Sequence, residues 1–344
     1  MTESRTRNIG LKKNDQKYTQ VIVNPRFCYV QTKKQTEHTF PREIFQGLQR
    51  KNKFIHPKFF YDEMGSCLFE KISTLDEYYL TRAESEILDT IKDNLSKYLR
   101  TDYSLIEFGS GSALKTRKLL EALTQMQDLV EYYPIDISDI LKESSLDLQK
   151  DYLNLKITGI IDHYESGLDF VASIEQCKLF VFLGSSLGNF DSRGAIKFLR
   201  KIHDSMKKGD YFLVGLDLVK DRQVLERAYD DSMGITAKFN LNLLTRINKE
   251  FGGNFDLKNF EHVSFFNEQQ KRIEMHIQSK VDQEIWLSQI DVAIKFKKGE
   301  MILTEYSHKY TVDQIYSLAK KSDFKVKEIW KDKNEYFSLV LLSP

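Results

Sequence analysis

The chain has 344 residues, 41% hydrophobic and 29% charged, which suits one large or two ordinary globular domains and excludes a fibrous or disordered protein. Lys and Arg number 51 against 50 Asp and Glu, and a net charge of +1 argues against a duplex-binding surface, which needs clustered positive charge. The first twenty residues lack the apolar core of a secretory signal, no apolar run approaches the roughly 18 residues of a membrane span, and Cys28, Cys67 and Cys177 form no ligand-spaced pair or disulfide framework, so a cytoplasmic protein is expected.

Residues 1–17 are polar and read as a mobile tail. Residues 18–82 carry the aromatic clusters Phe59-Phe60-Tyr61-Asp62 and Glu77-Tyr78-Tyr79. Such rings belong to a core or face a ligand, and a phenol hydroxyl can orient an amine without carrying charge. From about Leu88 helices alternate with short apolar runs. A strand over 104–108 leads into Glu107-Phe108-Gly109-Ser110-Gly111-Ser112, where glycines let the backbone pass close to a ligand at a helix N-terminus. The dinucleotide fingerprint needs a third glycine, and Leu114 stands in its place. A helix over 114–127 follows, with Leu119, Leu120 and Leu123 on one face, then a strand over 129–136. Asp136 at its end could accept both hydrogen bonds of a ribose diol, or cap the next helix.

A helix over 139–152 and a strand over 155–161 continue the pattern. The nearly continuous apolar run 178–183 suits a strand buried on both faces of a parallel sheet. It leads into Gly184-Ser185-Ser186-Leu187-Gly188-Asn189-Phe190, at the carboxyl edge where open α/β sheets bind ligands. Small residues there admit a substrate, and Asn189 offers a donor and an acceptor. A helix over 191–207 and a strand over 211–218 complete an alternation that implies a doubly wound α/β sheet with right-handed crossovers.

Residues 220–310 change character: a helical stretch over 223–250, containing Tyr229-Asp230-Asp231, precedes strands near 261–266, 272–279, 285–287, 291–296 and 301–307. They read as an inserted α+β lobe, joined by residues 18–82, that could cover the ligand edge of the sheet. On its last strand Glu305 and Ser307 share a face because strand period is two. A carboxylate beside a hydroxyl could grip an imidazole through its ring nitrogens. Thr311 caps a helix to about Lys321, and strands over 324–330 and 336–342 form a closing hairpin. The remaining residues, 83–219 with 311–344, form the cofactor domain. None of the seven histidines has metal-ligand spacing, so no metal is expected.

A parallel sheet closed by an antiparallel hairpin is how class I methyltransferases end. The chain resembles the bacterial histidine N-α-methyltransferases of ergothioneine biosynthesis from Lys58 onward. The resemblance is carried by Lys58-Phe59-Phe60-Tyr61-Asp62, Glu77-Tyr78-Tyr79-Leu80-Thr81-Arg82, Phe108-Gly109-Ser110-Gly111, residues 182–189, Asp217-Leu218-Val219-Lys220, Ala228-Tyr229-Asp230-Asp231, Phe239-Asn240, Ile273-Glu274-Met275 and residues 304–307. It implies S-adenosyl-L-methionine as cofactor and S-adenosyl-L-homocysteine as product. It also implies Tyr61, Gly109, Lys115 and Asp136 as cofactor contacts, with Ser110 and Gly111 in the same loop, and Tyr164 with either Asp162 or His163 near the adenine. The ambiguity arises because Asp162-His163-Tyr164 stands where the family has Gly-Asp-Phe. A second departure is Ser186, where Thr is common.

Phe69, Tyr78, Asn189, Tyr229, Met275, Glu305 and Ser307 fall on substrate-contact positions, with Gly184 and Ser186 in the same loop. Asn189 and Tyr229 match residues that hold the substrate's α-carboxylate, and Glu305 and Ser307 match those that hold the imidazole. Glu305 and Met275 favour histidine over an indole, because an unpaired buried carboxylate beside indole is costly. Tyr61 and Asn189 are the expected catalytic pair, orienting the amine. The expected reaction is methylation of the α-amino group of L-histidine to the trimethyl betaine, hercynine, by a monomer that needs no nucleic acid, membrane or protein partner. The alternatives are the same fold acting on another amine such as a tryptophan derivative, a non-catalytic adenosyl-binding scaffold, or a nicotinamide dehydrogenase, the last disfavoured by Leu114 and the terminal hairpin.

Overall fold

A computed structural model describes residues 17–32, 39–99, 102–111 and 113–344; the tail before Lys17, and Ser112, lie outside the described residues. The chain opens with β1 (Tyr18–Asn24), β2 (Phe27–Thr32), α1 (Thr39–Leu48), β3 (Lys53–Phe54), a 3-10 turn (Pro57–Phe60), α2 (Glu63–Ser73) and α3 (Tyr79–Leu95). The alternating part is β4 (Tyr103–Phe108), α4 (Leu114–Met126), β5 (Val130–Asp136), α5 (Ile140–Asp151), β6 (Leu155–Ile161), α6 (Tyr164–Val171), β7 (Cys177–Phe182), a 3-10 turn (Ser186–Asn189), α7 (Ser192–Asp204) and β8 (Tyr211–Asp217). Then come α8 (Arg222–Arg227), α9 (Ile235–Phe251), β9 (Phe260–Asn267), β10 (Arg272–Ser279), β11 (Gln283–Leu287), β12 (Val292–Phe296) and β13 (Met301–His308). The chain closes with α10 (Val312–Lys321), β14 (Lys325–Lys331) and β15 (Phe337–Ser343).

The large sheet has nine strands in the order β1-β2-β6-β5-β4-β7-β8-β15-β14. From β2 to β8 neighbours run parallel, and β15 joins β8 antiparallel, giving the expected class I methyltransferase arrangement. Strands β4 and β15 are buried along their whole length, which their apolar composition permits without a solvent face. Alternate residues feed two cores. Leu105, Leu179, Val181 and Leu213 meet α3 and α4 on one face, and Ile106, Phe108, Phe180 and Phe212 meet α6, α7 and α10 on the other. Helix α7 shows how the sequence builds such a layer. Asp191 caps it by accepting from the Gly194 N–H, and Ala195, Phe198, Leu199 and Ile202 form one buried stripe.

A four-stranded sheet, β3-β13-β10-β9, and the β11-β12 hairpin form the lobe; α9 packs on β9 and β10, and α2 packs on α9. Three expectations need correction. Residues 18–32 do not join the lobe: β2 pairs with β6 from Phe27–Ile157 to Gln31–Ile161, and the hairpin extends the large sheet. Phe27 and Val30 bury against that sheet, so the hairpin covers what would otherwise be an open edge at β6. The helical stretch over 223–250 is two helices. Gly234 turns the chain at φ +65°, and the Asp231 carboxylate accepts from the Ile235 and Thr236 N–H groups at 2.9 and 2.7 Å, starting α9 anew. The helix expected over 191–207 also ends earlier, at Asp204. No helix among the described residues is long and apolar enough to cross a membrane.

Candidate active site

The carboxyl ends of β4, β5 and β7 and the lobe strands β10 and β13 bring the expected residues into one region. After β4 the chain turns through Gly109 at φ +68° and Gly111 at φ +49°, a region that strongly favours glycine. A Cβ on Gly111 would meet nothing within 4 Å, so this turn borders open space, with Ser110 buried in it. Asp136 at the end of β5 accepts from the Gly111 N–H at 3.2 Å and the Ser138 N–H at 2.9 Å, one per carboxylate oxygen. Each oxygen keeps acceptor capacity for a diol. An open glycine cradle beside a carboxylate with free lone pairs fits an adenosyl group.

Two carboxylates hold this edge together: Glu84, which sequence reasoning missed, and Glu107, which it quoted in the glycine motif without giving it a role. Glu84 on α3 is fully buried; both its oxygens accept from the Gly184 N–H at 2.9 Å, and one accepts from Lys115 Nζ at 2.5 Å. It thus fixes Lys115, in the first turn of α4, against the loop after β7. Its signal was present, since it lies four residues after Leu80 on the stripe that buries Ala83, Ile87 and Ile91. Glu107 lies beneath the glycine turn, accepting from Thr116 Oγ1 at 2.7 Å and from Tyr132. Burial outweighs these bonds and pushes its pKa up to about 7.

At the end of β6, Asp162 is already engaged. One oxygen accepts from the Tyr18 hydroxyl at 2.8 Å and the other from the His163 N–H at 2.7 Å, with Lys17 at 3.7 Å. His163 is exposed. Tyr164 stacks edge-on against Phe108 and Phe182, its hydroxyl under Gly109.

On the lobe side a chain of rings runs from Tyr61 to Phe69 at 5.7 Å, to Tyr78 at 6.1 Å and to Tyr229 at 6.2 Å. Tyr61 keeps 37% of its surface, yet burial, then Glu305, Tyr78, Tyr164 and Asp136, push its pKa well above the ordinary 10. Its accessible surface therefore faces a walled recess, within electrostatic reach of both Asp136 and Glu305. Glu305 lies opposite Met275 in the β10–β13 register, and Ser307 opposite Ile273. The Glu305 carboxyl makes no hydrogen bond to any described residue, and burial lifts its pKa to about 7 against the pull of Lys309. Ser186 donates to the Leu183 carbonyl at 2.9 Å, while the Asn189 side chain makes no hydrogen bond among the described residues.

Gly188 explains how the two halves meet. A Cβ there would lie 2.9 Å from the His308 carbonyl oxygen, so only glycine lets the loop bearing Asn189 pack on β13, where the His308 ring meets the Gly188 carbonyl at 2.8 Å. Behind the recess lies a buried charge network that the sequence reading did not assign. Lys309 Nζ reaches Asp217 at 2.7 Å and the hydroxyls of Tyr229 and Ser307 at 2.9 Å each. Asp217 also accepts from Tyr79 at 2.7 Å and Lys220 at 2.5 Å. Burial alone would raise the Asp217 carboxyl, but Lys309 and Lys220 outweigh it and hold it below its ordinary value. Among the described residues no group of three His, Cys, Asp or Glu side chains could hold a metal.

The family model of SAM-dependent, histidine-specific methyltransferases matches residues 40–344. The chain belongs to that family. Within the histidine-specific methyltransferases it is similar to the histidine N-α-methyltransferase of Mycobacterium tuberculosis, 39% identical over 78% of this chain and 84% of that one. It is 35% identical to the enzyme of the same name from Mycolicibacterium smegmatis, over 87% of this chain and 93% of that one. An L-tryptophan methyltransferase of Psilocybe serbica is 26% identical over 82% of this chain and 86% of its own length.

Proposed function

We propose that this protein methylates the α-amino group of L-histidine with S-adenosyl-L-methionine, through to the trimethyl betaine. The observation that carries the reading is Glu305: a walled carboxyl with no hydrogen-bond partner among the described residues, beside Ser307 and opposite Met275, in a recess that Tyr61 shares with the glycine turn. A carboxyl left so would be a liability unless a ligand supplies an N–H. An imidazole does, whereas an indole has a single N–H and no second nitrogen for Ser307. Mycobacterial relatives named as histidine N-α-methyltransferases support the same substrate.

S-adenosyl-L-methionine, when bound, supplies an electrophilic methyl on a sulfonium. The turn Gly109-Ser110-Gly111 would pass beside it, Asp136 would take the ribose diol, Lys115 would meet its carboxylate, and His163 and Tyr164 would line the adenine edge. Phe69 and Tyr78 would wall the substrate, while Gly184 and Ser186 leave room for added methyls. Displacement at a methyl is in line, so holding the nitrogen supplies much of the acceleration. Asn189 and Tyr229 would hold the α-carboxylate, and Tyr61 with Asn189 would orient the nitrogen. Because burial keeps the Tyr61 hydroxyl protonated, it steers the amine and does not act as its base. The amine must be neutral to attack; chain α-amino groups titrate near about 7.7–8.0 and that of a free amino acid somewhat higher, so the reacting form is the minor, unprotonated fraction.

The test is mass spectrometry of products from purified protein, cofactor and either histidine or tryptophan. Mono-, di- and trimethylated histidine is the expected outcome. Methylated tryptophan with untouched histidine would move the substrate, and no product from either would end the proposal.

A further inference from the structure

The buried network behind Glu305 has a proton count that restricts what the pocket can bind. Lys309 is an ammonium with three protons and three acceptors: Asp217 at 2.7 Å, Tyr229 at 2.9 Å and Ser307 at 2.9 Å. Both hydroxyl oxygens therefore accept from the same cation. They also lie 2.8 Å from each other, so one must donate to the other. Two hydroxyl protons are present and one is used inside the pair. Among the described residues no other acceptor is bonded to either, so the pair keeps a single proton for a ligand.

We propose that Lys309 is a positioning residue that makes Tyr229 and Ser307 a one-proton donor, so that the substrate's imidazole is held with both ring nitrogens protonated. This rests on the reading of the recess as an L-histidine site. The single proton goes to the stronger acceptor, the substrate's carboxylate, and comes from the more acidic hydroxyl, the phenol of Tyr229. Ser307 then donates to Tyr229 and has only a lone pair left for the ring. Glu305 likewise accepts. Two acceptors facing the two ring nitrogens require an N–H on each, which is the imidazolium.

The surrounding groups are consistent with a cation there. The charged and titratable groups that bear on Glu305 are Lys309, just beyond the end of its strand, and the hydroxyls of Tyr61, Tyr78 and Tyr229 from three other segments. Burial keeps those phenols protonated, so none can remove the ring proton. Lys309 opposes a second cation; Asp217 at 2.7 Å offsets this only in part because it also pairs with Lys220 at 2.5 Å, and the counter-charge for the ring is Glu305, which has no hydrogen-bond partner among the described residues.

The experiment uses the full chain, S-adenosyl-L-homocysteine and α-N-trimethylhistidine labelled with 15N in the ring. That ligand has no titrating amine, so its ring is its only group that changes charge near neutrality. At pH 8.5, where a free ring is neutral, 15N NMR of the ternary complex should show both ring nitrogens carrying protons. Calorimetry at that pH in buffers of different ionisation enthalpy should show about one proton taken up per binding event, with Kd rising about tenfold per pH unit above about pH 7, where Glu305 is ionised and the free ring is neutral. Ser307→Ala removes the second acceptor, and its proton uptake should fall toward zero while binding persists. One bare ring nitrogen in the native complex, or uptake unchanged in Ser307→Ala, would overturn the proposal and leave the histidine reading standing. No binding of either the betaine or histidine would overturn both.

Discussion

Replacing Glu305 by Gln separates the stability of the fold from the chemistry of the pocket. The carboxyl titrates at about 7 in the folded chain against an ordinary 4.5, because burial disfavours its charge. A raised folded-state pKa means that the folded protein binds the proton more tightly than the unfolded chain does. Stability therefore falls as pH rises from about 4.5 to about 7, and the whole loss stands above pH 7. At about 1.4 kcal/mol per pH unit of displacement the loss approaches about 3 kcal/mol, and the partial accessibility of Glu305 lowers the expectation to about 2 kcal/mol. Glu305→Gln carries no charge, so without ligand it should be more stable than the native chain by about 2 kcal/mol at pH 8 and near parity at pH 4.5. It should also bind histidine more weakly while keeping its affinity for S-adenosyl-L-homocysteine. Urea melts of both proteins at the two pH values, with calorimetry for each ligand, measure all of this. A native chain and a variant with parallel pH–stability curves would refute the assignment of Glu305 as an unpaired buried carboxyl. An unchanged histidine affinity would remove it from the pocket.

Three further outcomes follow from the geometry. Gly111→Ala places a methyl in the open cradle at φ +49°; backbone strain of about 1–2 kcal/mol is expected in melts, together with a loss of S-adenosyl-L-homocysteine affinity of about tenfold or more, and unimpaired affinity would show that the turn does not meet the cofactor. Glu84→Gln releases Lys115 and should weaken the same ligand by about 1.5–3 kcal/mol, read by calorimetry; equal affinity would mean that Lys115 does not need Glu84 to hold its place. Lys309→Met leaves buried Asp217 with Lys220 and Tyr79 and should cost about 1.5–3 kcal/mol in urea melts, with part of the loss recovered by adding Asp217→Asn, whereas additive losses would contradict the coupling.

Much of the site was legible because the residues concerned carry local signals. Gly109 and Gly111 announce a turn at the end of an apolar strand, Asp136 ends the next strand, and period two alone places Glu305 and Ser307 on one face. Glu84 could have been found, since a carboxylate on an otherwise apolar helical stripe requires a partner. Asp217 and Lys309 could not. They are 92 positions apart, and each looks like an ordinary charge at a strand end until the lobe folds back and buries both at 2.7 Å. The break between α8 and α9 was missed because the apolar pattern continues on both sides of it, and what stops the helix is the capping carboxylate of Asp231.

The sequence by itself determined the alternation of strands and helices, the closing hairpin, the glycine turn and the shared strand face of Glu305 and Ser307. These are encoded within a few residues of each other, through periodicity, backbone freedom and capping. Only the tertiary structure decided that β1 and β2 cover the edge at β6, that Gly188 lets the Asn189 loop rest on β13, and that Lys309 stands behind Tyr229 and Ser307. Each of these depends on which distant surface arrives at a given side chain. That is settled by burial of complementary faces and satisfaction of buried charge across the whole chain.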